Sequence, residues 1–258
     1  MTTTPSTEWR LIDEVDTTRD PIEHMDADLQ ILDEVANGAA PTLRLYTWAT
    51  PTLSLGRFQA DSDVDMVACN RLGVGVVRRP TGGAALLHGT DLTYCAVMPL
   101  PDGRDGSVQH VYELIAGALI AGLHTIGVDA AIARNDGPPG PVCFAGQQGA
   151  DLRVGDRKVC GSAQVRQRGV VLQHGSILLR RLDIDESDVT VATCERAALR
   201  RATVTLEELG APTEPRRVAA AMVVGFEQSL GLAFAPATLA AQGNTNIIGI
   251  STSASVAL

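Results

Sequence analysis

Between Val74 and Leu179 the chain breaks into short β-rich runs separated by glycine-bearing turns, and this punctuation limits the fold more than any other feature. Val74 to Arg79 is followed by the turn Pro80-Thr81-Gly82-Gly83, then by Ala84 to His88 and Leu92 to Met98, which read as a hairpin of alternating residues. Ala150 to Val154, Arg157 to Gln164 and Val170 to Leu179 supply three more strands, with Gly155-Asp156 as the turn before the second. Such closely spaced strands pair mainly antiparallel. Apolar residues at helical spacing lie at both ends and once between: Pro21 to Ala36, Asp63 to Leu72, Val108 to Ile126, Ser187 to Leu209 and Arg216 to Leu230. Trp9 to Val15, Leu43 to Trp48, Thr52 to Gly56 and Val128 to Ala133 complete the expected strands. The fold class is therefore α+β, a central mixed and mostly antiparallel sheet flanked by helices. We expect one domain over residues 1–242 and a flexible tail over residues 243–258, rich in Ser, Thr and Asn, to which no role attaches.

A formal charge of −9 and a pI near 5.0 argue against a nucleic-acid partner, since phosphate binding needs a cationic surface. An acidic carrier protein is compatible with a local basic patch, for which Arg78, Arg79, Arg153, Arg157, Lys158, Arg166 and Arg168 are the candidates. The first residues lack the basic and apolar regions of a signal peptide, and no run approaches the ~20 apolar residues of a membrane helix, so the expected location is the cytoplasm, with no membrane partner. Five cysteines, Cys69, Cys95, Cys143, Cys160 and Cys194, form no CxxC pair; neither a disulfide framework nor a metal site is expected.

Two runs carry chemistry. In Arg78-Arg79-Pro80-Thr81-Gly82-Gly83 followed by His88, the paired glycines let a ligand approach the backbone, whose amides can meet a carbonyl or phosphate oxygen. In Lys158-Val159-Cys160-Gly161-Ser162-Ala163-Gln164 followed by His174-Gly175-Ser176-Ile177-Leu178, strand alternation places Lys158 on one face together with Cys160 and Ser162. A paired glycine alone is usually a tight turn, and a lone strand lysine is usually solvated. Together the two runs are specific.

The Arg-Arg-x-Thr-Gly-Gly…His and Lys-x-x-Gly-Ser-Ala-Gln…His-Gly-Ser-Ile-Leu runs resemble the lipoate and biotin protein ligase superfamily, over roughly Trp9 to Leu230. Lipoate protein ligase A-like members and, most closely, octanoyltransferases of the LipM type are similar. The resemblance implies an acyl-chain tunnel, Lys158 at the acyl carbonyl, and Arg79, Thr81, Gly82, Gly83, His88, Gly161, Ser162 and His174 as substrate-binding residues. It implies a catalytic thiol as well. Cys143, in Gly140-Pro141-Val142-Cys143-Phe144, matches the Cys-Phe pair that precedes the lysine strand in the LipM type; Cys194 is the alternative, at a place resembling a second octanoyltransferase type. Ala84-Ala85, Gly89 and Ala145-Gly146-Gln147-Gln148 depart from the LipM pattern near the pocket, which bears on acyl length and carrier preference.

Read this way, octanoyl passes from octanoyl-acyl carrier protein to a cysteine, then to a lysine of a lipoyl domain of a 2-oxoacid dehydrogenase E2 subunit or of the glycine-cleavage H protein. No cofactor is required. Two alternatives stay open: an ATP-dependent lipoate protein ligase, which would need ATP and Mg, and an amidotransferase moving octanoyl between lipoyl proteins. His88 would orient groups at the pocket mouth, carry a proton, or serve the structure alone.

Overall fold

A computed structural model describes residues 8–101, 106–133, 151–191 and 195–239. Eleven strands and five α-helices are assigned there: β1 Glu8–Glu14, α1 Pro21–Ala36, β2 Thr42–Tyr46, β3 Thr52–Leu55, α2 Met66–Leu72, β4 Gly75–Arg78, β5 Leu86–His88, β6 Asp91–Pro99, α3 Val108–Thr125, β7 Ala131–Ile132, β8 Leu152–Val154, β9 Arg157–Gln167, β10 Val170–Leu178, α4 Arg196–Ala202, α5 Pro215–Leu230 and β11 Ala233–Pro236.

The helices begin where the sequence supplies caps. Pro21 occupies the first turn of α1, and the Glu23 carboxylate accepts the Asp20 N–H at 2.9 Å. Asp65 accepts the Ala68 N–H ahead of α2, Ser107 accepts that of His110 ahead of α3, and Glu214 accepts those of Arg216 and Arg217 ahead of α5. Each such cap is worth about 1 kcal/mol.

Eight strands form the large sheet in the order β11-β1-β2-β6-β10-β9-β8-β7; β1 runs parallel to β11 and β2, and the other neighbours are antiparallel. The α+β expectation holds. Central strand β6 is buried along almost its whole length because both faces are covered. Leu92, Tyr94 and Ala96 meet α3 and α5 residues such as Ile115, Leu119, Met222 and Phe226. Cys95 and Val97 meet Met25, Ile31 and Leu32 of α1. A second sheet, β4-β3-β5, packs Leu53, Leu55 and Leu87 against Cys69 of α2, Val74 and Val189.

Three expectations are corrected. The Ala84–His88 and Leu92–Met98 runs do not pair as a hairpin: β5 joins β3 in the small sheet, while β6 joins β2 and β10 in the large one. The chain changes sheets at Gly89, whose φ of 149° suits glycine. Ser187 to Leu209 is not one helix. α4 ends at Ala202, and the β-branched Thr203-Val204-Thr205 runs extended, with Thr203 bridged to Lys158 and the Val204 N–H donating to the Lys158 carbonyl at 2.9 Å. Val128–Ala133 holds only the two-residue strand β7, and β11, which pairs with β1, went unforeseen. Among the described residues no helix is long and apolar enough to cross a membrane, and no group of three metal-ligating side chains clusters.

Candidate active site

A cavity lies between the two sheets. Ser54, Leu86 and His88, with Arg79 just beyond β4, form the small-sheet wall. The large sheet contributes Tyr46, Thr93, Gly161, Ser162, Ala163, His174 and Gly175, the segment after β2 contributes Trp48, and α1 contributes Met25. Strand period explains the division: on β5, Leu86 and His88 face the cavity while Leu87 faces the α2 core.

Lys158 stands against this cavity, buried and 2.8 Å from Asp151 Oδ2. The strand alternation expected to group it with Cys160 and Ser162 is broken by a bulge. Opposite Leu152 and Arg153 stand Cys160 and Lys158, leaving Val159 as the extra residue. Val159 and Cys160 therefore pack into the α3 and α5 core, and the Lys158 side chain lies across Gly161. A Cβ at Gly161 would stand 3.0 Å from Lys158 Cε and 3.3 Å from Nζ. The Lys-x-x-Gly spacing follows: the bulge brings both residues to one face, and glycine leaves room for the ammonium.

The Ser162 hydroxyl bonds the Tyr94 hydroxyl at 2.7 Å, and its N–H donates to Asp151 Oδ1 at 3.4 Å. Gln173 Nε2 also donates to Tyr94 at 2.8 Å.

The glycine turn is held from behind by Arg79. Its guanidinium donates to the carbonyls of Ser54 (2.9 Å), Gly82 (2.8 Å) and Ala84 (2.7 Å), while the Arg57 N–H donates to the Thr81 carbonyl at 2.8 Å. Protein donors thus fix the carbonyls of this loop, and Arg79 is seen as loop support as well as cavity lining. Neighbouring Arg78 donates to the carbonyls of Gly56 and Gln59, both at 2.7 Å, and pairs with Asp61.

Two histidine–carboxylate pairs flank the cavity. His174 Nδ1 meets Asp28 Oδ2 at 3.1 Å, and its Nε2 meets Thr81 Oγ1 at 2.6 Å. Burial lowers the His174 pKa, and with the Asp28 carboxylate as acceptor the ring donates its Nδ1–H to Asp28 and leaves Nε2 facing the Thr81 hydroxyl. Asp28 is also gripped by the buried Arg44 at 2.7 Å; despite burial, which pushes its pKa up, the hydrogen bond from His174 and the charge of Arg44 hold it below the ordinary carboxylate range. Arg44 goes on to Glu14 at 2.8 Å and lies 3.9 Å over the Tyr46 ring. The second pair is His88 and Asp91, 2.9 Å apart, with His88 stacked on Trp48 at 4.2 Å between centroids.

The sequence-derived residues Arg79, His88, Gly161, Ser162 and His174 line one cavity; Lys158 abuts it, and Thr81, Gly82 and Gly83 reach it through His174 and Arg79. Cys143 and Cys194 lie outside the described residues. Sequence reasoning missed Ser54, Asp91, Asp151, Asp28 and Arg44. The last two carried a signal: a carboxylate in the buried stripe of α1, and an arginine between Leu43 and Leu45 on an apolar strand.

This arrangement of two sheets about a buried cavity is the fold of lipoate protein ligases. It superposes on a lipoate-protein ligase A bound with ATP at a TM-score of 0.75 with 22% identity, covering 91% of this chain and 90% of the other. On the bipartite lipoate protein ligase of Thermoplasma acidophilum the TM-score is 0.70 with 23% identity, covering 90% and 88%.

The sequence matches the lipoyl protein ligase A/B catalytic domain over residues 20–227, and the chain belongs to that family. It is 41% identical over 222 residues to the octanoyltransferase LipM of Kyrpidia tusciae, covering 78% of this chain and 80% of the relative. Against the octanoyltransferase LipM of Halalkalibacterium halodurans it is 37% identical over 254 residues, 90% of each chain.

Proposed function

We infer that this acyltransferase moves an octanoyl group from acyl carrier protein onto a lysine of a lipoyl domain, through a thioester on Cys143 and without ATP. The observation that carries the reading is the buried Lys158–Asp151 pair laid across Gly161 at the wall of a largely apolar cavity. An ammonium fixed there suits a thioester carbonyl, whose oxygen gains negative charge as it is attacked. The names and extent of the LipM relatives support the same chemistry.

The three cysteines among the described residues are unsuited to attack. Cys69, Cys95 and Cys160 are buried, and burial pushes the thiols of Cys69 and Cys95 up, away from the thiolate that attacks. A thiolate at Cys143 takes the octanoyl group; the lipoyl-domain lysine then attacks the thioester. Aminolysis of a thioester runs downhill, so ATP is not needed, and positioning and exclusion of water favour the transfer over hydrolysis. The acceptor is a lipoyl domain of an E2 subunit or the H protein.

The test is to incubate the protein with octanoyl-acyl carrier protein, without ATP, and map any adduct by intact mass and peptide analysis in wild type, Cys143→Ser and Cys194→Ser. Loss of the adduct in Cys143→Ser alone is the expected result. Loss with Cys194→Ser alone moves the nucleophile, and acylation of a lipoyl domain that depends on ATP overturns the reading in favour of a ligase. An adduct formed from the octanoylated H protein but not from the carrier protein makes it an amidotransferase.

A further inference from the structure

Amide formation from a thioester has a proton balance that Lys158 does not meet. The C–S bond breaks with its electron pair going to sulfur, and a C–N bond forms to a lysine that arrives as an ammonium. Two protons leave that nitrogen: one before attack, one as the amide forms. The thiolate released can take one of them. The other needs an acceptor at the cavity, and an ammonium paired with Asp151 has no lone pair to offer.

We propose that Ser54, His88 and Asp91 form the proton-accepting relay of this site, an inference that rests on the transferase reading above. Ser54 Oγ lies 2.9 Å from His88 Nε2, and His88 Nδ1 lies 2.9 Å from Asp91 Oδ2. Asp91 also accepts the Gly89 N–H at 2.9 Å, the Thr93 hydroxyl at 3.0 Å and the Ser176 hydroxyl. A carboxylate receiving all these donors is ionised and acceptor-only, which fixes the proton on His88 Nδ1. His88 Nε2 is then the acceptor and Ser54 the donor, while Arg79 donates to Ser54 Oγ at 3.2 Å. The Leu86 carbonyl, 3.4 Å from Ser54 Oγ, is the longer alternative acceptor for the serine proton.

Ser54 and His88 both line the cavity, so an amine entering it meets the serine oxygen. That oxygen takes the amine proton as its own passes to His88 Nε2, and the imidazolium formed faces the Asp91 carboxylate. The proton leaves to bulk water with the product. His174 is placed differently: its Nε2 is held by Thr81, which lies outside the cavity lining, so that pair anchors the glycine turn.

The test uses the full chain charged with octanoyl on its thiol, confirmed by intact mass, then mixed with either a lipoyl domain or hydroxylamine, which is unprotonated at neutral pH. In His88→Gln, discharge to the lipoyl-domain lysine should slow about 100-fold, the scale of general-base catalysis, with discharge to hydroxylamine slowed at least ~10-fold less. Ser54→Ala, the smaller change, should shift the same ratio in the same direction. Equal slowing with both nucleophiles, or no slowing with lysine, overturns the relay, as does an octanoyl ester mapped to Ser54. Failure of the wild type to charge at all defeats the transferase reading, and the relay with it.

Discussion

Lys158 and Asp151 meet at 2.8 Å with both side chains almost wholly excluded from solvent. A charge pair in such surroundings contributes little net stability against an apolar pair of similar volume, yet removing one partner leaves the other buried and uncompensated.

Asp151→Asn should therefore lower unfolding stability by about 3–5 kcal/mol and abolish thioester formation. Lys158→Met combined with Asp151→Leu should recover most of that stability while staying inactive. Guanidinium unfolding and adduct formation measure both; a double variant no more stable than Asp151→Asn would refute the coupling.

Two glycines of the site should respond in opposite ways. In Gly161→Ala the new methyl crowds only the Lys158 side chain, so the fold survives and adduct formation slows about 100-fold, the effect of a ~1 Å misplacement. In Gly175→Ala it would stand 2.4 Å from the Gly161 carbonyl oxygen, and such overpacking costs roughly 1–3 kcal/mol or more. Thermal unfolding paired with adduct rates separates the two.

Arg79→Lys keeps the charge but loses the planar fork that spans Ser54, Gly82 and Ala84. Losing one charged hydrogen bond of about 2 kcal/mol predicts a fall in kcat/KM of roughly 30-fold, with faster amide exchange over residues 82–85. Unchanged exchange would show that the loop does not depend on the guanidinium.

Glu186, buried beside β5 and accepting the Leu87 N–H at 3.1 Å, has its carboxyl pushed up to about 7 by burial. The unfolded chain releases that proton near pH ~4.3. Its contribution to stability is fully present below that value and is lost as pH rises through about 7. Glu186→Gln keeps a neutral acceptor, so its stability relative to wild type should climb between pH 5 and 8 by on the order of 3 kcal/mol. A difference that is flat with pH would contradict the burial of this carboxyl.

The sequence revealed the residues clustered in two short runs, and the structure joins those runs: Thr81 bonds His174 across 93 positions. It did not reveal partners that lie outside any motif. Asp28 reaches His174 across 146 positions, and nothing in an amphipathic helix says which strand its one buried carboxylate will meet. The break within Ser187–Leu209 was written in Thr203-Val204-Thr205, but helical spacing of the neighbouring Leu and Ala residues masked it. The sheet change after His88 was hidden because two alternating runs close in sequence look alike whether or not they pair with each other. Bulges are likewise invisible to a period-2 pattern, which is why Cys160 was assigned to the wrong face.

The polar wall of the cavity also fastens one sheet to the other, through Thr81 to His174 and through Ser54 and His88 to Asp91, which Ser176 and Thr93 share. Side-chain exchange has little freedom there, since each change loosens the seam. Such freedom is left to Met25, Leu86 and Ala163, apolar wall residues outside that seam, where exchanging one aliphatic volume for another resizes the chamber without unfastening it.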